Sequence, residues 1–122
     1  MTQNDRGAAG GPGGAFRFRV SDSLAVPLRG HLLRLRRVEG RPALSDLGVG
    51  RQLKLVGRSG ASRAVTIRAH SVTSGRMTQA RLDAKGELDV VITTADAQGD
   101  SAPVGIGWFA EGPVDRDGGG DG

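Results

Sequence analysis

Apolar residues along this chain recur every second position. Phe16, Phe18 and Val20 alternate with Arg17 and Arg19, the pattern of a strand with one dry and one wet face. The same spacing returns in Leu24, Val26 and Leu28, in Leu33 and Leu35, in Leu53 and Leu55, and in Val65, Ile67 and Ala69. It closes with Leu88, Val90 and Ile92, then Val104, Ile106 and Trp108. The stretches between these runs, among them RG, EGRP, GRSGAS, DAKGE and DAQGDSAP, are turn chemistry, in which Gly supplies positive φ and Asp or Ser bonds its own backbone. Seven or eight short strands at intervals of about ten residues predict an all-β fold, a small closed antiparallel β-barrel. No helix is predicted, and ALSDLGV at 43–49 reads as a single helical turn or a loop. Pro27 cannot donate to a ladder, so its strand is expected at an edge or bulged there.

The ends contrast with this middle. Residues 1–15 and 115–122 are rich in Gly and polar residues and carry too little apolar surface to offset the entropy of ordering them. They are expected to be disordered tails around one barrel domain at 16–114, long enough to bury a single core. Nowhere do eighteen apolar residues run together, and no basic segment leads into an apolar one at the N-terminus, so no membrane association and a cytoplasmic location are expected. With no cysteine there is neither a disulfide nor a thiolate metal site.

Charge is unevenly spread. The net charge is +4, yet between Phe16 and Leu82 thirteen Arg and Lys54 face only Asp22, Glu39 and Asp46. From Asp83 onward nine acids face Lys85 and Arg116. Either the molecule has a basic face for an anionic partner, or the acidic C-terminal strands lie beside the basic N-terminal ones and neutralise them. Guanidinium binds phosphate in a bidentate way, so Arg29, Arg34, Arg36, Arg37 and Arg41, with Arg58 and Arg63 at the GRSGAS turn, are the candidate anion or nucleic-acid contacts. Against RNA, the chain has only four aromatic residues, all within or beside apolar strand patterns, so stacking platforms are scarce. The two Lys against fifteen Arg also fit a general arginine bias of composition.

Catalytic signals are sparse. His31 and His70 are each expected to be exposed; as an enzyme or metal site they are an alternative, but their spacing matches no ligand motif, and no metal or cofactor is predicted. GRSGAS at 57–62 has neither the spacing of a nucleophile elbow nor the Gly-Lys-Ser/Thr ending of a phosphate loop. VGIGWF at 104–109 lacks the third glycine and following helix of a dinucleotide fingerprint, and its glycines are expected to make room for Trp108.

One stretch resembles a known family. FRFRVSDSLAVPLRGHLLRLRRVEG, through Phe18, Val20, Asp22, Leu24, Val26, Arg29, Gly30, Leu33 and Gly40, is similar to the opening of the second domain of translational GTPases such as elongation factor Tu. LGVGRQLKLVG continues the likeness with Val49, Gly50, Leu53 and Leu55, and SRAVTIRAHSV with its Val and Ile. The resemblance covers residues 16–72 and thereafter only the strand spacing. It implies an antiparallel barrel of the kind that packs on a nucleotide-binding domain and contacts the tRNA acceptor end and ribosomal RNA. With no GTPase domain in the chain, no nucleotide is expected. The leading expectation is a stand-alone, non-catalytic binding module that engages a protein through a barrel face, with RNA or ribosome binding through 29–41 as the alternative.

Overall fold

A computed structural model describes residues 14–71, 76–98 and 103–114; the two predicted tails lie outside these except for Gly14 and Ala15. Seven antiparallel strands, β1 (Phe16–Val26), β2 (Gly30–Glu39), β3 (Gln52–Val56), β4 (Ser62–Thr66), β5 (Ala69–His70), β6 (Glu87–Ile92) and β7 (Phe109–Gly112), form one sheet. Their order is β4-β3-β7-β1-β2-β6-β5. Two short helices, α1 (Gln79–Lys85) and α2 (Thr94–Gln98), and a 3-10 turn at Leu44–Leu47 fill the connections. The ladder itself does not close: β4 and β5 are the two edges and do not pair. They are instead consecutive in the chain. Ile67 still donates its N–H to Arg51 on the β3 side, whereas Arg68 donates to Val91 on β6.

The alternating apolar residues build the core as the pattern predicts. Phe18, Val20, Leu33, Leu35, Leu53, Leu55, Val65, Ile67, Val90 and Ile92 are fully buried, each burial worth about 1.5–3 kcal/mol by its apolar area. Ala110 lies between Phe18 and Leu55 in register, where a small side chain lets two large neighbours meet. Leu47 from the 3-10 turn, Leu82 from α1 and Ala97 from α2 join the same core.

Four readings of the pattern are corrected. The strand expected at 104–108 starts at Phe109, because the chain turns at Ile106–Gly107 and Ile106 is exposed. Leu24, Val26 and Leu28 are not a separate core strand. Leu24 and Val26 continue β1 past a bulge at Ser21, where the register jumps between Val20 and Asp22. That one extra residue reverses the alternation, so Ser23 and Ala25 fall on the face of Leu33 while Leu24 turns outward. Val65, Ile67 and Ala69 are not one strand either, because the chain bends at Ile67–Arg68 and β5 resumes with its phase shifted.

The helices are the fourth correction. Each carries one buried apolar residue, too few to show a helical period. Their ends are nonetheless written in the chain: Thr78 Oγ1 accepts from Arg81 N–H at 3.1 Å, Gly86 closes α1 in the left-handed region, and Thr93 Oγ1 accepts from Asp96 N–H at 3.0 Å ahead of α2.

Candidate binding surface

Across the outer face of the sheet, residues in register form rows at right angles to the strands. One row reads Glu39, Arg17, Glu111, Lys54, with signs alternating at every strand. Another reads Asp89, Arg34, Asp22. Between them Glu87, Arg36 and Arg19 lead to Phe109 and Val56. The basic N-terminal strands therefore meet the acidic later ones, and the second of the two charge readings holds over most of this wall. Arg34 makes a bidentate pair with Asp89 at 3.0 and 3.1 Å, which holds its guanidinium above the ordinary range, and Arg36 reaches Glu87 at 3.0 Å.

The seven candidate arginines thus separate into three groups. Arg34, Arg36 and Arg41 are ion-paired, the last to Asp83 at 3.1 Å. Arg37 and Arg63 lie on the core side of their strands, opposite Phe18 and Leu55, and donate to helix carbonyls: Arg37 to Asp83 at 3.4 Å, Arg63 to Asp96 and Ala97 at 2.9 and 3.1 Å. Positive charge at the last turn of a helix is favourable there. Arg29 and Arg58 have no ion-pair partner among the described residues; Arg29 is exposed at the β1–β2 turn and Arg58 packs against Gly107.

Both histidines depart from the exposed reading. His31 continues the inward row of Leu33 and Leu35, half-buried, with Nε2 2.7 Å from Ser23 Oγ, and burial lowers its pKa. His70 lies on the Val90 side of the sheet, with Nε2 2.6 Å from the Leu47 carbonyl. The hydroxyl of Ser23 also lies 3.2 Å from the Val104 carbonyl, and among the described residues no carboxylate hydrogen-bonds His31, so these residues supply two of the three parts of an activated nucleophile. Among the described residues no three His, Cys, Asp or Glu side chains converge as a metal site.

The fourth outer row differs from the others. Leu24, Leu32, Val91 and Ala69 lie side by side across β1, β2, β6 and β5. Leu24 is 44 % exposed, whereas Val91 is only 7 % exposed and Leu32 and Ala69 are half-buried. No family model and no curated protein sequence matches this chain.

This apolar row adjoins the β1–β2 turn, where Val26 accepts the Arg29 N–H at 3.0 Å, Pro27 is second and Leu28 third with φ 66°. These are the features of a type II turn, whose third position favours Gly or Asn. Pro27 is therefore a turn residue and not a strand residue. Gly30 follows at φ 129°, where a Cβ would collide with the Ile92 carbonyl oxygen. Leu28 is fully exposed. Ala25 to Gly30 line a groove of about 440 Å³ with Thr93 and Thr94, containing Arg29 and no acid. A second groove of the same volume, at the far end beside Phe16 and Val114, balances Arg17 and Lys54 against Glu39 and Glu111.

Sequence reasoning missed the apolar row because it assigned Leu24 and Val26 to the core. A signal was present: Leu32–Leu33 and Val90–Val91–Ile92 are adjacent apolar residues, and a strand must send one of any such pair to each face.

Proposed function

We propose that this chain is a non-catalytic binding module, a small β-barrel of the type seen in the second domain of translational GTPases, that engages a protein partner through the outer face of β1, β2, β6 and β5. What supports the barrel reading is the two-residue link Ile67–Arg68 between the edge strands β4 and β5, which carries the chain from one edge of the sheet to the other and would complete the ring covalently where the ladder leaves it open.

The observation that carries the protein reading is the row Leu24, Leu32, Val91 and Ala69. An apolar strip bordered by the charged row Asp22, Arg34 and Asp89 has the anatomy of a protein contact, with a dry centre and a polar rim. RNA binding through 29–41 is the weaker reading, because Arg34, Arg36 and Arg41 already hold carboxylates. Phosphates would have to displace them.

A photo-crosslinking residue placed at Leu24, with Arg36 as the control position, tests the assignment in cells. A discrete protein adduct from position 24 alone is the expected result. RNA adducts, or equal yields from both positions, would sink it. A titration with generic RNA at two salt concentrations is expected to show no steep loss of affinity with salt.

A further inference from the structure

We infer that the apolar row and the β1–β2 turn together form a docking site for a protein segment whose apolar side chains are flanked by acidic residues. The inference rests on the protein-binding reading above and adds the chemistry of the partner.

The backbone at Leu28 is the first argument. A leucine at positive φ is costly, and Gly or Asn would occupy the same place in this turn without penalty. The side chain recovers nothing from the fold, since it is entirely in solvent. Strain of this kind, held in place by Pro27 before it and by Gly30 after it, marks a residue kept for something outside the domain. Leu28 lines one groove with Val26, two positions along from Leu24, which the Ser21 bulge turned outward.

Charge selects the occupant. Arg29 stands at the β1–β2 turn, beyond the β1 end of the row along the strands, and exposed Arg68 immediately precedes Ala69 at the β5 end. Neither has an ion-pair partner among the described residues, in contrast to Arg34 one row away and Arg36 two rows away. An apolar strip with an unpaired guanidinium at each end is complementary to a segment with carboxylates at its ends and apolar side chains between. A second copy of the chain fits badly, because either orientation of two such strips brings arginine against arginine. The flanking stretches of this sequence do not supply such a segment: 115–122 contains no apolar side chain, and 1–13 offers only Met1, Pro12 and two alanines.

The test uses the full chain, labelled with ¹⁵N, and three synthetic peptides that share a four-leucine centre and carry Glu, Lys or Ser at both flanks. The Glu-flanked peptide is expected to shift the amides of Leu24, Leu28, Arg29, Leu32 and Val91 and to bind at least about five-fold more tightly than the Lys-flanked one, with the gap narrowing at high salt. Leu28→Asn is expected to keep the dispersed spectrum of the folded chain and still weaken binding by about five-fold or more. The double variant Arg29→Gln with Arg68→Gln is expected to erase the Glu-over-Lys preference while leaving the Ser-flanked peptide unchanged. No shifts at millimolar peptide, shifts centred on another face, or equal binding of the Glu and Lys peptides would each overturn the inference. A protein adduct at Leu24 together with any of those results removes the acidic partner and leaves the protein-binding reading intact. Failure of the adduct removes both.

Discussion

The indole of Trp108 occupies the space that a side chain on Gly57 would need: a Cβ there would stand 2.8 Å from both Cε2 and Cζ2. The sequence pattern places the room-making glycines beside the tryptophan, at Gly105 and Gly107. The residue that yields is instead on the β3–β4 turn, remote in sequence and close only in the fold. Gly57→Ala is therefore expected to destabilise the domain by about 1–3 kcal/mol through overpacking against the ring. Urea denaturation followed by the fluorescence of the one tryptophan measures it, and an unchanged midpoint would refute the contact.

Arg63 serves the same corner. Its guanidinium lies 5.1 Å from the Trp108 ring and donates to the carbonyls of Asp96 and Ala97. Arg63→Met keeps much of the stem but leaves those carbonyls without their donor, so a loss of about 2 kcal/mol is expected, together with a changed Trp108 emission. A variant as stable as the parent would show that Arg63 is a surface cation after all.

Leu28→Asn relieves the left-handed strain at the turn and is expected to raise stability by about 1 kcal/mol. Thermal or urea unfolding reads this directly. A destabilised variant would mean that the exposed leucine contributes to the fold.

The outer charge rows predict a swap. Arg34→Glu places a carboxylate beside Asp89 and Asp22 and is expected to lower the unfolding midpoint, as is Asp89→Arg beside Arg34. The double swap restores the opposite-sign pair and is expected to recover most of the loss. Additive losses in the double variant would show that the two side chains do not interact.

Acid should weaken the fold in two windows. Burial lowers the pKa of His31 below its ordinary 6.5, so the unfolded chain takes up this proton first, and the associated stability is present above pH 6.5 and lost as pH falls through the lower folded value. Asp83 is lowered below 3.8, chiefly by its hydrogen bond from Arg41, so its contribution is present above that pH and lost as pH falls further. An NMR titration of His31 with a midpoint at or above 6.5 would contradict the first window. Arg41→Gln is expected to move the Asp83 midpoint upward.

Much of the sheet was legible because a strand needs only local alternation to be recognised. Phe16 to Val20, Leu33 to Leu35, Leu53 to Leu55 and Leu88 to Ile92 lie in strands and bury the faces that the spacing predicts. What escaped were the places where alternation breaks. The Ser21 bulge, the bend at Ile67–Arg68 and the two capped helices each depend on what the segment packs against, and each moved residues to a face the local pattern did not assign. His31 was misread in the same way, since its partner Ser23 is brought inward only by that bulge.

The candidate surface followed the same division. By itself, the sequence determined that the chain is rich in β-strands, that its charges are segregated along its length, and that no cysteine chemistry is available. Tertiary structure alone decided which charges meet. Asp83, Glu87 and Asp89 are more than forty residues from the arginines they neutralise; strand register sets the Glu87 and Asp89 pairs, and the packing of α1 beside the end of β2 sets that of Asp83. Register also decided that Leu24, Leu32, Val91 and Ala69 share one outer row, because a side chain's face follows from its pairing partner across the sheet as much as from its neighbours along the chain.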